Sequence, residues 1–118
     1  MEELHIVRKA QLHTHDVYQF SYARDFDPEH IGPDSFWLEN ALYLCDSPWD
    51  MGALAPFIQQ VLPDFAWYGW NKVTLAQWSQ IQALFLMERP LSFRFFREVR
   101  QWLEEGNQNA DYFWILGP

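Results

Sequence analysis

Nearly one residue in five of this chain carries an aromatic side chain: seven Trp, five Tyr and ten Phe make up 19% of 118 residues. A domain of this size buries only roughly two thirds of the surface that its unfolded chain exposes. One core cannot easily hide seven indoles, so some are expected at the surface. The length fits a single domain spanning residues 1–118. No repeat, low-complexity tract or linker divides it. Apolar residues at 49% and charged residues at 20% mark a globular chain rather than a disordered one.

Several classes fall away on composition. The start, Met1-Glu2-Glu3-Leu4-His5, is acidic and lacks the basic and apolar segments of a signal peptide. The longest apolar runs, Tyr112-Phe113-Trp114-Ile115-Leu116 among them, are far short of the ~20 residues needed to span a bilayer. A cytoplasmic protein without membrane contact is the expectation. The single cysteine, Cys45, can form neither an internal disulfide nor a zinc site alone. Direct nucleic-acid binding is disfavoured, because phosphate contacts need Lys and Arg, and this chain has 8 against 16 Asp and Glu.

The first 24 residues read as β. Leu4–Lys9 is a short candidate strand, and Asp16–Tyr22 a better one, with Tyr18, Phe20 and Tyr22 on one face. Val17, Gln19 and Ser21 share the other, the pattern of a half-buried strand. Residues 25–33 read as loop. From Asp34, Trp37, Leu38, Ala41, Leu42 and Cys45 recur at helical spacing, with a strand through Ala41–Cys45 as the alternative. A second helix is expected from about Ala53 to Pro63, with Pro56 tolerated only in its first turn. Phe65–Trp70 is a short strand or structured loop. Thr74 and Gln77 form a capping box, which starts a helix buried through Leu75, Trp78, Ile81 and Phe85. Ser92 caps a last helix, with Phe95, Phe96, Val99, Trp102 and Leu103 buried and Arg94–Glu98 and Arg100–Glu104 pairing outside. Asp111–Leu116 is a terminal strand or tail, able to pair with another chain's edge or to finish its own sheet. The expected fold is α+β: one compact, helix-rich domain with a small antiparallel sheet.

The net charge of −8 is not spread evenly. Residues 25–71 hold eight acids (Asp25, Asp27, Glu29, Asp34, Glu39, Asp46, Asp50 and Asp64) and no Lys or Arg. The flanking segments each balance to zero. A one-signed stretch repels itself but speeds encounter with an oppositely charged partner. Trp49, Trp67, Tyr68 and Trp70 lie beside these acids, and Trp and Tyr are common anchors of protein interfaces. The bland reading is of solvated acids that aid solubility, with the indoles in the core.

Motifs for chemistry are sparse. His13-Thr14-His15-Asp16 offers alternating imidazoles on a strand, but two His and an acid are not a full metal site. No nucleophile elbow, phosphate loop or dinucleotide glycine pattern occurs. Cys45 has no basic neighbour to activate a thiolate; the nearest are Arg24 and Lys72. No enzyme activity, metal or cofactor is expected.

In its acidic balance, single-domain size and the segment Phe65-Ala66-Trp67-Tyr68-Gly69-Trp70-Asn71 leading into Thr74-Leu75-Ala76-Gln77-Trp78, the chain resembles small immunity proteins of bacterial polymorphic and contact-dependent toxin systems. The resemblance implies a non-enzymatic inhibitor of a cognate toxin, often a basic nuclease; the terminal segment adds the expectation of a monomer or weak homodimer. Glu39, Asp46, Asp50 and Asp64 would meet toxin Lys or Arg, and Trp49, Trp67 and Trp70 would supply buried area. The competing readings are a protein-binding adaptor or regulatory domain, and a small ligand-binding domain with an aromatic pocket.

Overall fold

The computed structural model describes residues 4–106 and 109–118; the acidic start at Met1–Glu3 lies outside them. Five strands, β1 (Ile6–Val7), β2 (Val17–Tyr22), β3 (Leu42–Cys45), β4 (Trp70–Thr74) and β5 (Tyr112–Leu116), form one antiparallel sheet in the order β1-β3-β2-β5-β4. Three helices, α1 (Met51–Val61), α2 (Leu75–Glu88) and α3 (Arg94–Glu105), pack on one face. The fold is α+β.

Alternation along the strands decides what each face carries. Ile6, Leu42, Leu44, Tyr18, Phe20, Tyr22, Phe113, Ile115 and Val73 face the helices and merge with their apolar sides into one core. Rings dominate it. Phe20 stacks on Phe113 with centroids 5.8 Å apart and meets Trp78 and Phe95 edge-on, the arrangement the ring quadrupole favours. Tyr22 stacks on Trp102 at 4.2 Å, and the Trp102 indole N–H donates to the Asn40 carbonyl at 2.6 Å. The capping box forms as expected: the Gln77 amide donates to Thr74 Oγ1 at 3.1 Å, and the Thr74 amide donates to Gln77 Oε1 at 2.9 Å.

The other face is covered by chain without regular structure. Phe26 packs on Trp114 at 5.0 Å, and Leu38 and Leu12 pack against Val17, Ala41 and Tyr43. Gln19, buried beneath this cover, holds it down. Its side-chain amide donates to the Ser35 carbonyl at 3.1 Å, and its oxygen accepts the Trp37 amide at 2.7 Å. Trp37 sits at φ 62°, the left-handed region, which costs an L-residue about 1–2 kcal/mol. β2 is therefore buried on both faces, not half-buried as the alternation suggests.

Other expectations are corrected. Asp34–Cys45 is not a helix; the alternative strand through Ala41–Cys45 is the one that forms, as β3, wedged between β1 and β2 after a single 3-10 turn at Pro33–Ser35. Cys45 thus lies half-buried on a strand. Pro56 lies beyond the first turn of α1; the carbonyl four residues earlier belongs to exposed Gly52, where water can satisfy it. Leu75 is exposed. Ser92 is buried without capping α3, which starts after Phe93. Neither Arg94–Glu98 nor Arg100–Glu104 closes to an ion pair; the Arg and Lys pairs among the described residues are Arg8–Glu105 at 2.8 Å and Lys9–Glu39 at 3.4 Å. β5 finishes its own sheet from an inner position, so it cannot serve as a dimer edge.

Candidate partner-binding surface

Strand order brings distant acids and rings to one end of the sheet. β3 ends where β2 begins, with Cys45 opposite Val17, and the Asp46 amide donates to the Asp16 carbonyl at 2.9 Å. β5 ends where β4 begins, with Leu116 opposite Trp70. α1 joins these two corners: 11 residues at 1.5 Å rise reach ~16 Å, against ~14 Å for the three strand spacings between β3 and β4. The turn before α1 and the loop after it, residues 46–50 and 62–69, therefore flank the same end.

Each loop is built by specific groups. In the first, the Asp50 and Gly52 amides donate to the Ser47 carbonyl, which leaves Trp49 projecting at 71% exposure. In the second, buried Asn71 acts as a clamp from β4. Its oxygen accepts the Ala66 amide at 2.7 Å, and its nitrogen donates to the carbonyls of Ala66 and Ile115 at 3.0 and 3.1 Å. Gly117 lies directly against the backbone of Trp67 and Tyr68, where any Cβ would collide with the Trp67 carbonyl. Clamped from both sides, the loop presents Tyr68 at 84% exposure, beside Trp70 at 49% at the start of β4.

The seven residues singled out by sequence divide into four groups. Asp46, Trp49, Asp64 and Trp70 are exposed at this end. Trp67 is half-buried, 4.6 Å from the Phe65 ring and edge-on to Tyr18 at 6.3 Å, so it ties the loop to the sheet. Asp50 turns inward at 6% exposure, accepting the His5 amide at 2.8 Å and the Ser47 hydroxyl at 2.9 Å. It pins β1 to the start of α1. Glu39 sits at the opposite end of the sheet, three residues before β3 starts, and pairs with Lys9.

The electrostatics at this end act on Tyr18, whose hydroxyl is pushed up to about 12, first by burial and then by Asp46 and Tyr68. Burial, and then Asp50, also raises the Cys45 thiol, the reverse of what a reactive thiolate needs. Among the described residues, no group of three or more His, Cys, Asp or Glu side chains converges as metal ligands would. No helix of the described residues is long and apolar enough to cross a membrane.

The bracing roles of Asp16, Asn71 and Gly117 escaped the sequence reading. Asn71 carried a usable signal, since Asn is depleted in strands and this one directly follows the aromatic run Phe65–Trp70. A second exposed apolar group, Met87, Leu91 and Phe93 at the α2–α3 corner, also went unread because the helix pattern stops there. Comparison with protein-family models, curated proteins and solved structures returns no match.

Proposed function

We propose that this chain is an immunity protein that binds and neutralises a cognate, basic toxin domain, and that it does so through the loop end of its sheet. One observation carries the reading. Asp46, Trp49, Asp64 and Tyr68 stand on two braced loops with Trp70 at the start of β4, and segments 14–18, 44–50, 62–70 and 116–118 contain no Lys or Arg. Interfaces draw most of their affinity from a few large aromatic anchors, while carboxylates around them steer a basic partner and set the salt dependence. Rigid loops present such anchors without the entropic cost of ordering them on binding.

The test is co-purification of the tagged chain with the C-terminal domain encoded immediately upstream, at low and high salt, together with growth rescue in cells making that domain. A complex with rescue supports the reading; absence of both toxicity and binding overturns it. Within the complex, Asp46→Lys should weaken binding and flatten its salt dependence. Trp49→Ala should weaken it about tenfold or more. Asp50→Asn should instead lower thermal stability, because its carboxylate faces inward.

A small-ligand reading has its own support in a hollow of about 430 Å³ lined by Lys9, His13, His15 and Trp37. His15 meets the Trp37 ring edge-on at 5.2 Å, leaving an aromatic wall beside cationic and imidazole groups. Ligand quenching of Trp fluorescence that survives Asp46→Lys and disappears in Trp37→Ala would favour it.

A further inference from the structure

We propose that the free edge of β4 accepts an extended segment of the partner as a sixth strand; this rests on the inhibitor reading above and specifies how the partner docks. The Gly117 amide donates to the Gly69 carbonyl at 2.7 Å and the Leu75 amide to the Asp111 carbonyl at 2.8 Å, closing the two ends of the β4–β5 ladder. Antiparallel pairs alternate between bonded and unbonded. Asn71 and Val73 therefore direct their backbone groups to β5, and Trp70 and Lys72 direct theirs away from the sheet. The outward amide of Thr74 is already taken by Gln77 Oε1. The open stretch is short and defined: the N–H and C=O groups of Trp70 and Lys72.

Beside this edge runs a trough of about 380 Å³, walled by Val61 at the end of α1, by Leu62 and Phe65 in the loop after it and by Gln77 from the start of α2. Side chains of an added strand alternate in direction, so every second one would enter the trough. Asp64 lines it too. The occupant is therefore an extended segment with small apolar residues at alternate positions and a Lys or Arg at the end near Asp64. A second copy fits less well. Each copy carries −8, and two-fold pairing centred on Lys72 sets two ammonium groups opposite each other. Lys72 borders the trough, and its ammonium lies over the Tyr112 ring at 4.3 Å.

Amide hydrogen exchange by NMR tests this on the full chain, free and saturated with an inactive variant of the upstream toxin domain. A parallel arm uses a synthetic octapeptide alternating Val and Thr with Lys at one end. Exchange at Trp70 and Lys72 is expected to slow by about tenfold or more in both complexes, while Asn71 and Val73 are protected throughout. Lys72→Pro removes an N–H that is unbonded in the free chain, so it should spare the fold and weaken binding about tenfold. The exchange pattern of the unaltered chain carries the test by itself if that variant does not fold. Toxin binding with unchanged exchange at Trp70 and Lys72 overturns strand addition and leaves the inhibitor reading standing. Protection by the peptide without any toxin binding supports the edge and removes the inhibitor reading. Protection that grows with the chain's own concentration makes a second copy the occupant and overturns the proposal.

Discussion

The two faces of the sheet are buried by different means. On the helix side, α2 and α3 contribute Trp78, Phe85, Phe95, Phe96 and Trp102, and the rings contact one another and the strands at 4.2–6.5 Å. On the loop side, burial depends on Gln19, a strained Trp37 and a few apolar contacts, with the peptide groups of residues 26–40 largely outside any ladder. The first layer gains free energy mainly from apolar area and ring geometry; the second is held by hydrogen bonds whose net worth is about 1 kcal/mol each. A polar pin contributes little when made and costs much when broken. The loop layer should therefore be the weaker of the two and the first to open.

Removing a ring from the helix side should have the largest effect. Phe20→Ala takes a fully buried side chain from between Phe113, Trp78 and Phe95, and should cost about 3–5 kcal/mol. Urea denaturation followed by far-UV dichroism measures it as a fall in midpoint with unchanged slope. A loss below about 1 kcal/mol would mean that the neighbouring rings close the cavity, and that the core is less rigidly packed than these contacts imply.

On the loop side, Gln19→Ala leaves the Trp37 amide and the Ser35 carbonyl without their buried partner, at about 1–3 kcal/mol. Its signature differs from that of Phe20→Ala. Fluorescence of Trp37 should shift at lower urea than the far-UV signal, because the cover opens before the sheet does. Coincident transitions with a large loss would make the two layers one cooperative unit, and would erase the distinction between them.

The same contrast explains what the sequence revealed. Helix-side elements are one-sided, so period and caps are visible: Thr74 with Gln77, and the stripe Phe95, Phe96, Val99 and Trp102. β3 is buried on both faces, with Leu42 and Leu44 toward the helices and Tyr43 toward the loop. A strand of that kind loses its alternation. Apolar residues of both parities then fell by chance on helical spacing with Trp37, Leu38 and Ala41. At the candidate surface, residue types were legible and directions were not. Asp46 and Asp50 are four apart in one acidic stretch, yet one faces solvent and the other is tied to His5 from β1's flank. Glu39 belongs to the same stretch and ends at the far end of the sheet, because β3 carries the chain from one end to the other. Those outcomes depend on register between strands, which composition does not encode.

The smallest effect is absent at neutral pH and appears only in alkali, where it compares the layers tyrosine by tyrosine. Tyr18 faces the helices and Tyr43 the loop cover; burial pushes both hydroxyls up to about 12. Tyr43 also donates to the Leu38 carbonyl at 2.7 Å, so it can ionise only when the cover lifts. With the folded pKa above the unfolded value near 10, each group's contribution is fully present below pH 10. It is lost as pH rises toward 12, because the unfolded chain ionises where the folded chain cannot. Ultraviolet titration at the tyrosinate band should therefore show a late component that shrinks in Tyr18→Phe and in Tyr43→Phe. The Tyr43 portion should come first, since opening the loop layer leaves the helix core closed. If Tyr18 ionises first, the loop end near Asp46 and Tyr68 is the looser region, and the braced surface proposed to meet the partner is mobile instead.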